Sequence, residues 1–402
     1  MAIQTSAIQT SDLTLLRTGQ PPHDPQLLLD MTRERKLWLD RICEHHLENF
    51  IRAGGSKVKV LVGSEGSGKT HLLRCVETDA CALGYETVFI SLRDSSWRLS
   101  DIVSLYKAMV AQVDKEELLR GLCCRVANQL GYPTERYDGS HPLLPLLVEE
   151  EGHTRFDAKK VLRRATNDAF KQSDLSLSFR AFAYTVAETR LVGDDEETEK
   201  TCWKWFSGEK LEPREKKIGL YDRLMKPTAR VWVYSLIRLI RLSGRAGLIL
   251  LLDDLEALTE RDLETSRYRY TPNAAKDTYE LIRQLIDDTE LLRHFFVLLA
   301  GRPAIEEDEK RGFKSYEALW MRLQTGLARS ERFNPFADIV DVNKHLEEVG
   351  GEDTFASQVA KRLGETLAAR GLERHYRETA AQDSGKPLRD LVIETARMYG
   401  GD

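Results

Sequence analysis

The residues of this sequence most able to do chemistry lie in one glycine-rich run. It contains Gly63, Ser64, Glu65, Gly66, Ser67, Gly68, Lys69 and Thr70, with His71 directly after it. Glycines allow backbone N–H groups to close around a phosphate, because side chains would obstruct that approach. A lysine at this spacing can reach the β- and γ-phosphates of a nucleotide, and the hydroxyl that follows it can ligate Mg²⁺. The run predicts a phosphate-binding loop (P-loop) for a nucleoside triphosphate, most simply ATP with Mg²⁺, and makes Lys69 a candidate catalytic residue.

A glycine turn without function between a strand and a helix is the alternative interpretation of this run. The β-branched segment at 58–62 predicts a buried strand before it, and residues 71–83 predict a helix after it. A helix that begins at such a loop points its positive dipole end at a bound anion. The two flanking elements therefore favour phosphate binding.

Acidic residues that could bind the metal follow an apolar run at 248–252. A buried strand ending in Asp253 matches a Walker B motif, whose acid holds Mg²⁺ directly or through water. Hydrolysis also needs a carboxylate that orients the attacking water. Asp254 is the choice by position, although it is shorter than the Glu of many such ATPases, and Glu256 is the second candidate. The alternative is a solvated acidic turn at the end of a strand.

The elements that must position these residues read as an α/β protein. Apolar runs predict five strands in a parallel sheet, at 58–62, 87–92, 248–252, 295–300 and 339–342. About 155 residues separate the second and third strands, far more than a crossover needs.

The long separation predicts a mainly helical insertion, with helices at 101–130, 157–170, 176–191 and 228–242 and breaks at 131–145 and 194–217. We therefore expect five segments along the chain. They are a flexible N-terminal tail at 1–28, an ATPase core at 29–113 and 245–342, the insertion at 114–244 and a helical lid at 343–402.

Composition narrows the class of protein. The 402 residues carry a formal net charge of −5, which argues against a surface that is basic throughout. Six cysteines are scattered without C-x-x-C pairs, so neither a disulfide framework nor a zinc site is expected. No apolar run approaches the roughly 18 residues of a membrane span, and no signal peptide is evident. We expect a cytoplasmic protein without membrane contact.

The order of elements resembles the AAA+ ATPases, and within them the origin-recognition and Cdc6-like branch. A narrower resemblance is to the BREX-system ATP-binding family, formerly known only as a domain of unknown function. It rests on three segments and spans about residues 29–394. The segments read GSKVKVLVGSEGSGKTHLLR, TYELIRQLIDDTELL and AGRPAIEEDEKRGFKSYEALWMRL.

That resemblance implies a bacterial or archaeal ATPase encoded among phage-defence genes, often beside a large helicase-like protein. It also implies roles for two arginines. Arg302 follows the fourth strand at the position of an AAA+ sensor, where the family often has Thr; it could touch phosphate or simply cap the sheet. Arg389 stands where a lid helix begins and could clamp the γ-phosphate, or it could be an exposed arginine at a helix start.

AAA+ nucleotide sites usually lie between subunits, so the resemblance also suggests a homo-oligomer with an arginine finger acting in trans. Between the fourth and fifth strands, Arg322 and Arg329 are the preferred candidates over Arg311 and Arg332. Each of them could instead be a surface or ion-paired arginine.

Two basic clusters in the insertion could contact DNA phosphates. The first is Arg230, Arg238, Arg241 and Arg245, and the second is Lys159, Lys160, Arg163, Arg164 and Lys171. Helix faces balanced by nearby acids are the alternative. The aromatic residues at 203–206 could stack on bases or anchor the insertion.

Three functions remain open from the sequence. The first is an ATP-driven motor or switch that acts on DNA or loads a helicase partner. The second is a nucleotide-gated scaffold with slow turnover that binds a protein partner. The third, and weakest, is a P-loop phosphotransferase.

Overall fold

A computed structural model describes residues 9–94, 96, 98–213, 215–262, 266–324, 333–374 and 386–400. Its centre is a five-stranded, all-parallel sheet in the order β2-β3-β4-β1-β5. The strands are β1 Ser56–Val62, β2 Glu86–Ser91, β3 Leu248–Asp253, β4 Phe295–Gly301 and β5 Ile339–Asp341. The predicted α/β class and parallel five-strand sheet are confirmed.

The sheet is buried on both faces, which explains why its strands read as continuous apolar runs. Successive side chains of a strand point to opposite faces. On β1, Val58 and Val60 belong to the core shared with the helices of residues 102–242. Leu61 faces the opposite core, beside Leu73 and Val76. The second core holds the helix that follows the glycine run, so packing fixes that helix against the sheet.

Helices before and after β1 complete the first part of the chain. They are α1 Thr10–Arg17, α2 Pro25–Met31, α3 Leu39–Arg41 with a π-helix Ile42–Ile51 after it, and α4 Lys69–Ala82. A 3₁₀ turn occupies Arg35–Leu37.

The segment between β2 and β3 is mainly helical, as expected. Its helices are α5 Ile102–Gln112, α6 Lys115–Gln129, α7 Leu144–Glu151, α8 Arg155–Lys171, α9 Leu177–Val192, α10 Glu196–Phe206 and α11 Ala229–Leu242. The single helix predicted over 101–130 is two helices, because Val113 is extended and Asp114 caps α6. Helix α10 lies within the break predicted at 194–217, whereas α7 begins at the end of the break predicted at 131–145.

The remaining helices follow β3. They are α12 Pro272–Asp287, α13 Ala304–Glu307, α14 Glu317–Gln324, α15 Val342–Glu348, α16 Glu352–Ala369 and α17 Leu388–Arg397. Short 3₁₀ turns lie at Glu215–Ile218, Leu255–Leu258 and Phe313–Ser315. Over the described ranges, no helix is both long and apolar enough to cross a bilayer.

The N-terminal segment differs from its prediction. A flexible tail was expected over residues 1–28, but Thr10–Arg17 and Pro25–Met31 are helices packed on α16 and α17. Leu16 is buried with Leu363 and Leu367 in a small separate core. Two helices of eight and seven residues are too short to give a clear periodic signal, and the surface that buries them comes from the other end of the chain.

Candidate functional site

The glycine run forms a tight turn between β1 and α4. Gly66 and Gly68 have φ angles of +77° and +88°. Residues that have a Cβ atom rarely adopt this backbone region, so glycine is favoured at both positions. No side chain caps the start of α4 at Lys69. The first N–H groups of an α-helix have no partner within the helix. The turn can therefore present backbone donors and the positive end of the α4 dipole to a phosphate.

Lys69 lies inside this turn. Its Nζ donates to the carbonyl oxygens of Gly63, at 3.0 Å, and Ser64, at 2.7 Å. Burial lowers the pKa of Lys69, while the carboxylates of Glu256 and Asp253 oppose that shift. A phosphate entering the turn offers the ammonium a charged acceptor in place of two carbonyls.

Thr70 connects the turn to the Walker B strand. Thr70 Oγ1 donates to Asp253 Oδ2 at 2.7 Å, although β4 separates β1 from β3 in the sheet. Asp253 is 3% exposed. Burial, followed by the negative charge of Asp254, raises its pKa to about 6.

The Thr70 and Asp253 oxygens fit Mg²⁺, which binds one or two protein oxygens together with substrate phosphates and water. Groups of three or more His, Cys, Asp or Glu side chains arranged for a metal are absent from the part of the chain that the structure describes. A magnesium site here would therefore have to be completed by the nucleotide.

The two candidate catalytic carboxylates have different surroundings. Asp254 has a left-handed backbone with φ +59°. Its Oδ2 accepts from Ser91 Oγ at 2.5 Å, and its Oδ1 pairs with Arg93 Nε at 3.2 Å. Glu256 is 5% exposed, and its Oε1 pairs with Arg93 at 3.2 Å. Among the described residues, Glu256 Oε2 has no hydrogen-bond partner.

Both arginines implied by the family resemblance lie at this site. Arg302 pairs with Glu65 at 2.9 Å, Glu256 at 3.5 Å and Glu260 at 2.6 Å. Arg389 Nη1 lies 3.4 Å from Glu65 Oε1, and its Nη2 donates to the Thr18 carbonyl at 3.3 Å. The lid start is close to the turn, because a Cβ on Gly66 would lie 3.1 Å from Arg389 Cβ.

Sequence reasoning missed four polar residues of this site. Ser91 and Arg93 follow from the pairing of β2 with β3, which places Ser91 beside Asp253. Asn343, at the start of α15, accepts from both the backbone N–H and the hydroxyl of Ser64, each at 3.0 Å. Glu260 pairs with Arg93 and Arg302. The available signal was position: most of these residues follow the carboxyl end of a parallel strand, where such folds bind ligands.

His71 lines the cavity beside the phosphate turn, and its ring is held by Thr32. Thr32 Oγ1 donates to the Leu28 carbonyl, so His71 Nε2–H donates to Thr32 Oγ1 at 2.8 Å. Burial lowers the His71 pKa to about 4, which keeps the ring neutral. The ring thus connects the end of α2 to α4, and its predicted contact with nucleotide stays a prediction.

Of the two preferred arginine-finger candidates, only Arg322 lies in the part of the chain that the structure describes. Arg322 pairs with Asp287 of α12 at 2.9 Å and donates to the Ala318 carbonyl. To act in a neighbouring subunit, its guanidinium would have to leave these partners. Arg329 lies outside the described residues.

Several residues of the two basic clusters in the insertion pair with acids. In the first cluster, Arg230 pairs with Asp288 at 3.2 Å and Arg238 with Asp174 at 2.8 Å. In the second cluster, Arg163 pairs with Glu188 at 2.7 Å. The aromatic residues at 203–206 pack in the insertion core, where the Trp205 and Trp232 ring centroids are 4.5 Å apart. They anchor the helices and offer no exposed stack for bases.

A cavity of about 550 Å³ lies beside the turn. Its polar wall consists of the glycine turn, Asp253, Asp254, Glu256 and Arg302. Its apolar wall comes from α1 and the lid, and it includes Leu16, Val359, Leu388 and Val392. A cavity with one charged and one apolar wall suits a ligand that has a phosphate end and an aromatic end.

The parallel sheet, glycine turn and acidic strand end are consistent with the class of P-loop nucleotide-binding proteins. A family model described as "BREX system ATP-binding protein BrxC/D" matches residues 16–126 and 148–384. The chain belongs to this family of BREX ATP-binding proteins, and the resemblance stated from the sequence is confirmed. Comparison with curated proteins and with solved structures gave no match.

Proposed function

We propose that the protein is an AAA+-type ATPase that hydrolyses Mg-ATP to drive or switch a DNA-acting, helicase-partnered anti-phage assembly in a bacterial or archaeal cytoplasm. The observation that carries the proposal is the 2.7 Å hydrogen bond from Thr70 Oγ1 to Asp253 Oδ2. It brings the end of the phosphate turn to the acid of the Walker B strand, as Mg-nucleotide binding requires. Membership of a BREX ATP-binding family supports the ligand and the defence role.

Each residue of the site has a role in this proposal. The turn and the α4 N-terminus bind phosphate, and Lys69 neutralises charge on the β- and γ-phosphates. Mg²⁺, held by Thr70 and Asp253, would offset the charge that develops during phosphoryl transfer. Arg302 and Arg389 contact the terminal phosphate.

A carboxylate must also orient the attacking water. The contacts favour Glu256 over Asp254, because both Asp254 oxygens are engaged by Ser91 and Arg93. Glu256 instead has one buried oxygen without a hydrogen-bond partner in the described part of the chain. A buried unpaired acceptor is costly, and a catalytic role would account for it.

The nucleotide-gated scaffold with slow turnover remains the second candidate. The contacts of Arg93 with Asp254 and Glu256 support it, because this arginine already occupies one oxygen of each carboxylate that could orient the attacking water. In that case the partner is another protein and DNA contact is not needed. We rank the phosphotransferase last, because the acidic strand end and the lid arginine suit hydrolysis by water.

Nucleotide binding is tested with a fluorescent ATP analogue and Mg²⁺. Lys69→Ala should weaken binding by roughly 30-fold or more, because a charged contact to phosphate is lost. Lys200→Ala, at an exposed lysine of α10, is the matched control and should bind as the wild type does. Equal affinity in Lys69→Ala and the control contradicts the site assignment.

Turnover with and without DNA separates the two main functions. A DNA-acting ATPase should hydrolyse ATP faster with DNA, and the stimulation should fall steeply as salt rises. A scaffold should turn over slowly under both conditions. Mass measurement with and without nucleotide, in the same samples, tests the proposed homo-oligomer.

A further inference from the structure

We infer that the Glu65 side chain determines how strongly the site prefers a nucleoside triphosphate to a diphosphate. Its carboxylate pairs with the two arginines that a terminal phosphate would contact. This inference rests on the proposed function, since it assumes that the glycine turn binds nucleotide.

Glu65 connects the end of β4 to the first turn of α17. Its Oε2 lies 2.9 Å from Arg302 Nη2, at the end of β4. Its Oε1 lies 3.4 Å from Arg389 Nη1, in the first turn of α17. One carboxylate with an oxygen toward each guanidinium offers the same pairing as a phosphate with two terminal oxygens.

A diphosphate and a triphosphate place different demands on this bridge. The backbone of the turn and Lys69 contact the inner phosphates, so a diphosphate can bind while Glu65 keeps both arginines. A terminal phosphate extends beyond the turn toward Arg302 and Arg389. To gain these contacts it must displace Glu65, so the bridge opposes triphosphate binding more than diphosphate binding.

Glu65 is the carboxylate of this site that can move at least cost. Its side chain is 59% exposed, whereas those of Glu256 and Glu260 are 6% and 27% exposed. An exposed ion pair stabilises a fold only weakly, so a phosphate can break it. After Glu65 leaves, Arg302 still pairs with Glu256 and Glu260. The ion pair between Glu65 and Arg389 of the lid is therefore the contact that changes most.

The test compares affinities for ADP and for a non-hydrolysable ATP analogue, measured by calorimetry with Mg²⁺ on the full chain. Glu65→Gln keeps the shape of the side chain and removes its charge. We expect about fivefold tighter binding of the triphosphate, the effect of losing one exposed competing charge, and less than about a twofold change for ADP. Glu290→Gln, at an exposed position between α12 and β4, is the control and should change neither affinity.

A second variant tests the route. Arg389→Gln should weaken triphosphate binding, and in the double variant Glu65→Gln should then lose most of its effect, because the two residues act through one contact. Equal changes for ADP and the triphosphate in Glu65→Gln, or no change, would overturn the inference while leaving nucleotide binding intact. Binding of neither nucleotide by the wild type would overturn the proposed function itself.

Discussion

Replacing Asp253 by Asn should stabilise the nucleotide-free protein while it removes a residue needed for Mg-ATP. Burial and the adjacent Asp254 charge raise the Asp253 pKa from 3.8 to about 6. At pH 7.5 the carboxylate is ionised in both the folded and unfolded states. The fold therefore holds a charge in a place that disfavours it.

The size of this effect follows from the shift. A rise from 3.8 to about 6 is about two pKa units, and each unit corresponds to about 1.4 kcal/mol, so the cost is about 3 kcal/mol. The folded state binds the proton more tightly, so stability falls as pH rises from about 4 to about 6, and the full cost is present above pH 6.

The amide introduced by Asp253→Asn would keep both hydrogen bonds of the native carboxylate. Its nitrogen can donate to Thr70 Oγ1, now 2.7 Å from Asp253 Oδ2, and its oxygen can accept from the Asp254 N–H, now at 2.8 Å from Oδ1. We therefore expect Asp253→Asn to gain about 2–3 kcal/mol at pH 7.5, and this gain should disappear below about pH 4.

Urea unfolding in metal-free buffer at pH 7.5 and at pH 4 measures the gain. Asp168→Asn, at an exposed position of α8, is the control for the loss of one carboxylate. Mg-ATP should raise the unfolding midpoint of the wild type by mass action, and that of Asp253→Asn much less. A variant less stable than the wild type at pH 7.5, or a gain that is the same at both pH values, would refute the reasoning.

Three further predictions test other parts of the protein. Glu256→Gln should lower ATP turnover by about 10²-fold or more with binding retained; a larger loss in Asp254→Asn would reverse the assignment. Lys59 is buried with its Nζ 2.5 Å from the Ala337 carbonyl, and burial lowers its pKa to about 8. Because the unfolded chain binds more protons between about pH 8 and 10.5, Lys59→Met should be more stable by about 1–3 kcal/mol at pH 7, with the advantage fading toward pH 10.5 in urea unfolding. Trp205→Ala should cost about 3–5 kcal/mol in the same assay, because the ring is 1% exposed and packs on Phe179 and Trp232; an unchanged midpoint would contradict that packing.

The sheet could be predicted from sequence because its strands are buried on both faces. Each strand is a short apolar run without competing periodicity, and the glycine turn fixes the position of the first. The N-terminal helices could not be predicted in the same way. Arg17 donates to the carbonyls of Tyr399 and Gly400, and Leu16 packs on the lid. Their partners lie more than 300 residues away, and no local pattern reveals such contacts.

Site residues could be predicted from the sequence where all residues of a motif lie in one continuous segment. The glycine turn and Asp253 each follow from a contiguous motif, whereas Ser91 and Arg93 depend on which strand neighbours β3. The order β2-β3-β4-β1-β5 places the end of β2 beside the Walker B acid. Strand order is a property of long-range packing, so the partners of Asp254 become visible only in the fold.

The basic clusters show how the meaning of a sequence feature depends on partners that are distant in the sequence. Arg163, Arg230 and Arg238 each pair with an acid that is 25 or more residues away in the sequence. The charge that looked available for DNA phosphates is thus partly offset within the chain. The salt dependence of DNA-stimulated turnover therefore measures how much of this charge reaches DNA.

The charges of the site connect its stability to its ligand. The site has five carboxylates and four cations, so its side chains carry an excess of one negative charge. The carboxylates are Asp253, Asp254, Glu256, Glu260 and Glu65, and the cations are Lys69, Arg93, Arg302 and Arg389. A triphosphate adds further negative charge, which Lys69 and the arginines alone do not offset. A divalent cation beside Asp253 would relieve the most buried carboxylate, and the terminal phosphate would displace Glu65, the most exposed one. The cation also offsets the charge that the triphosphate adds, and for this reason we expect each to strengthen the binding of the other.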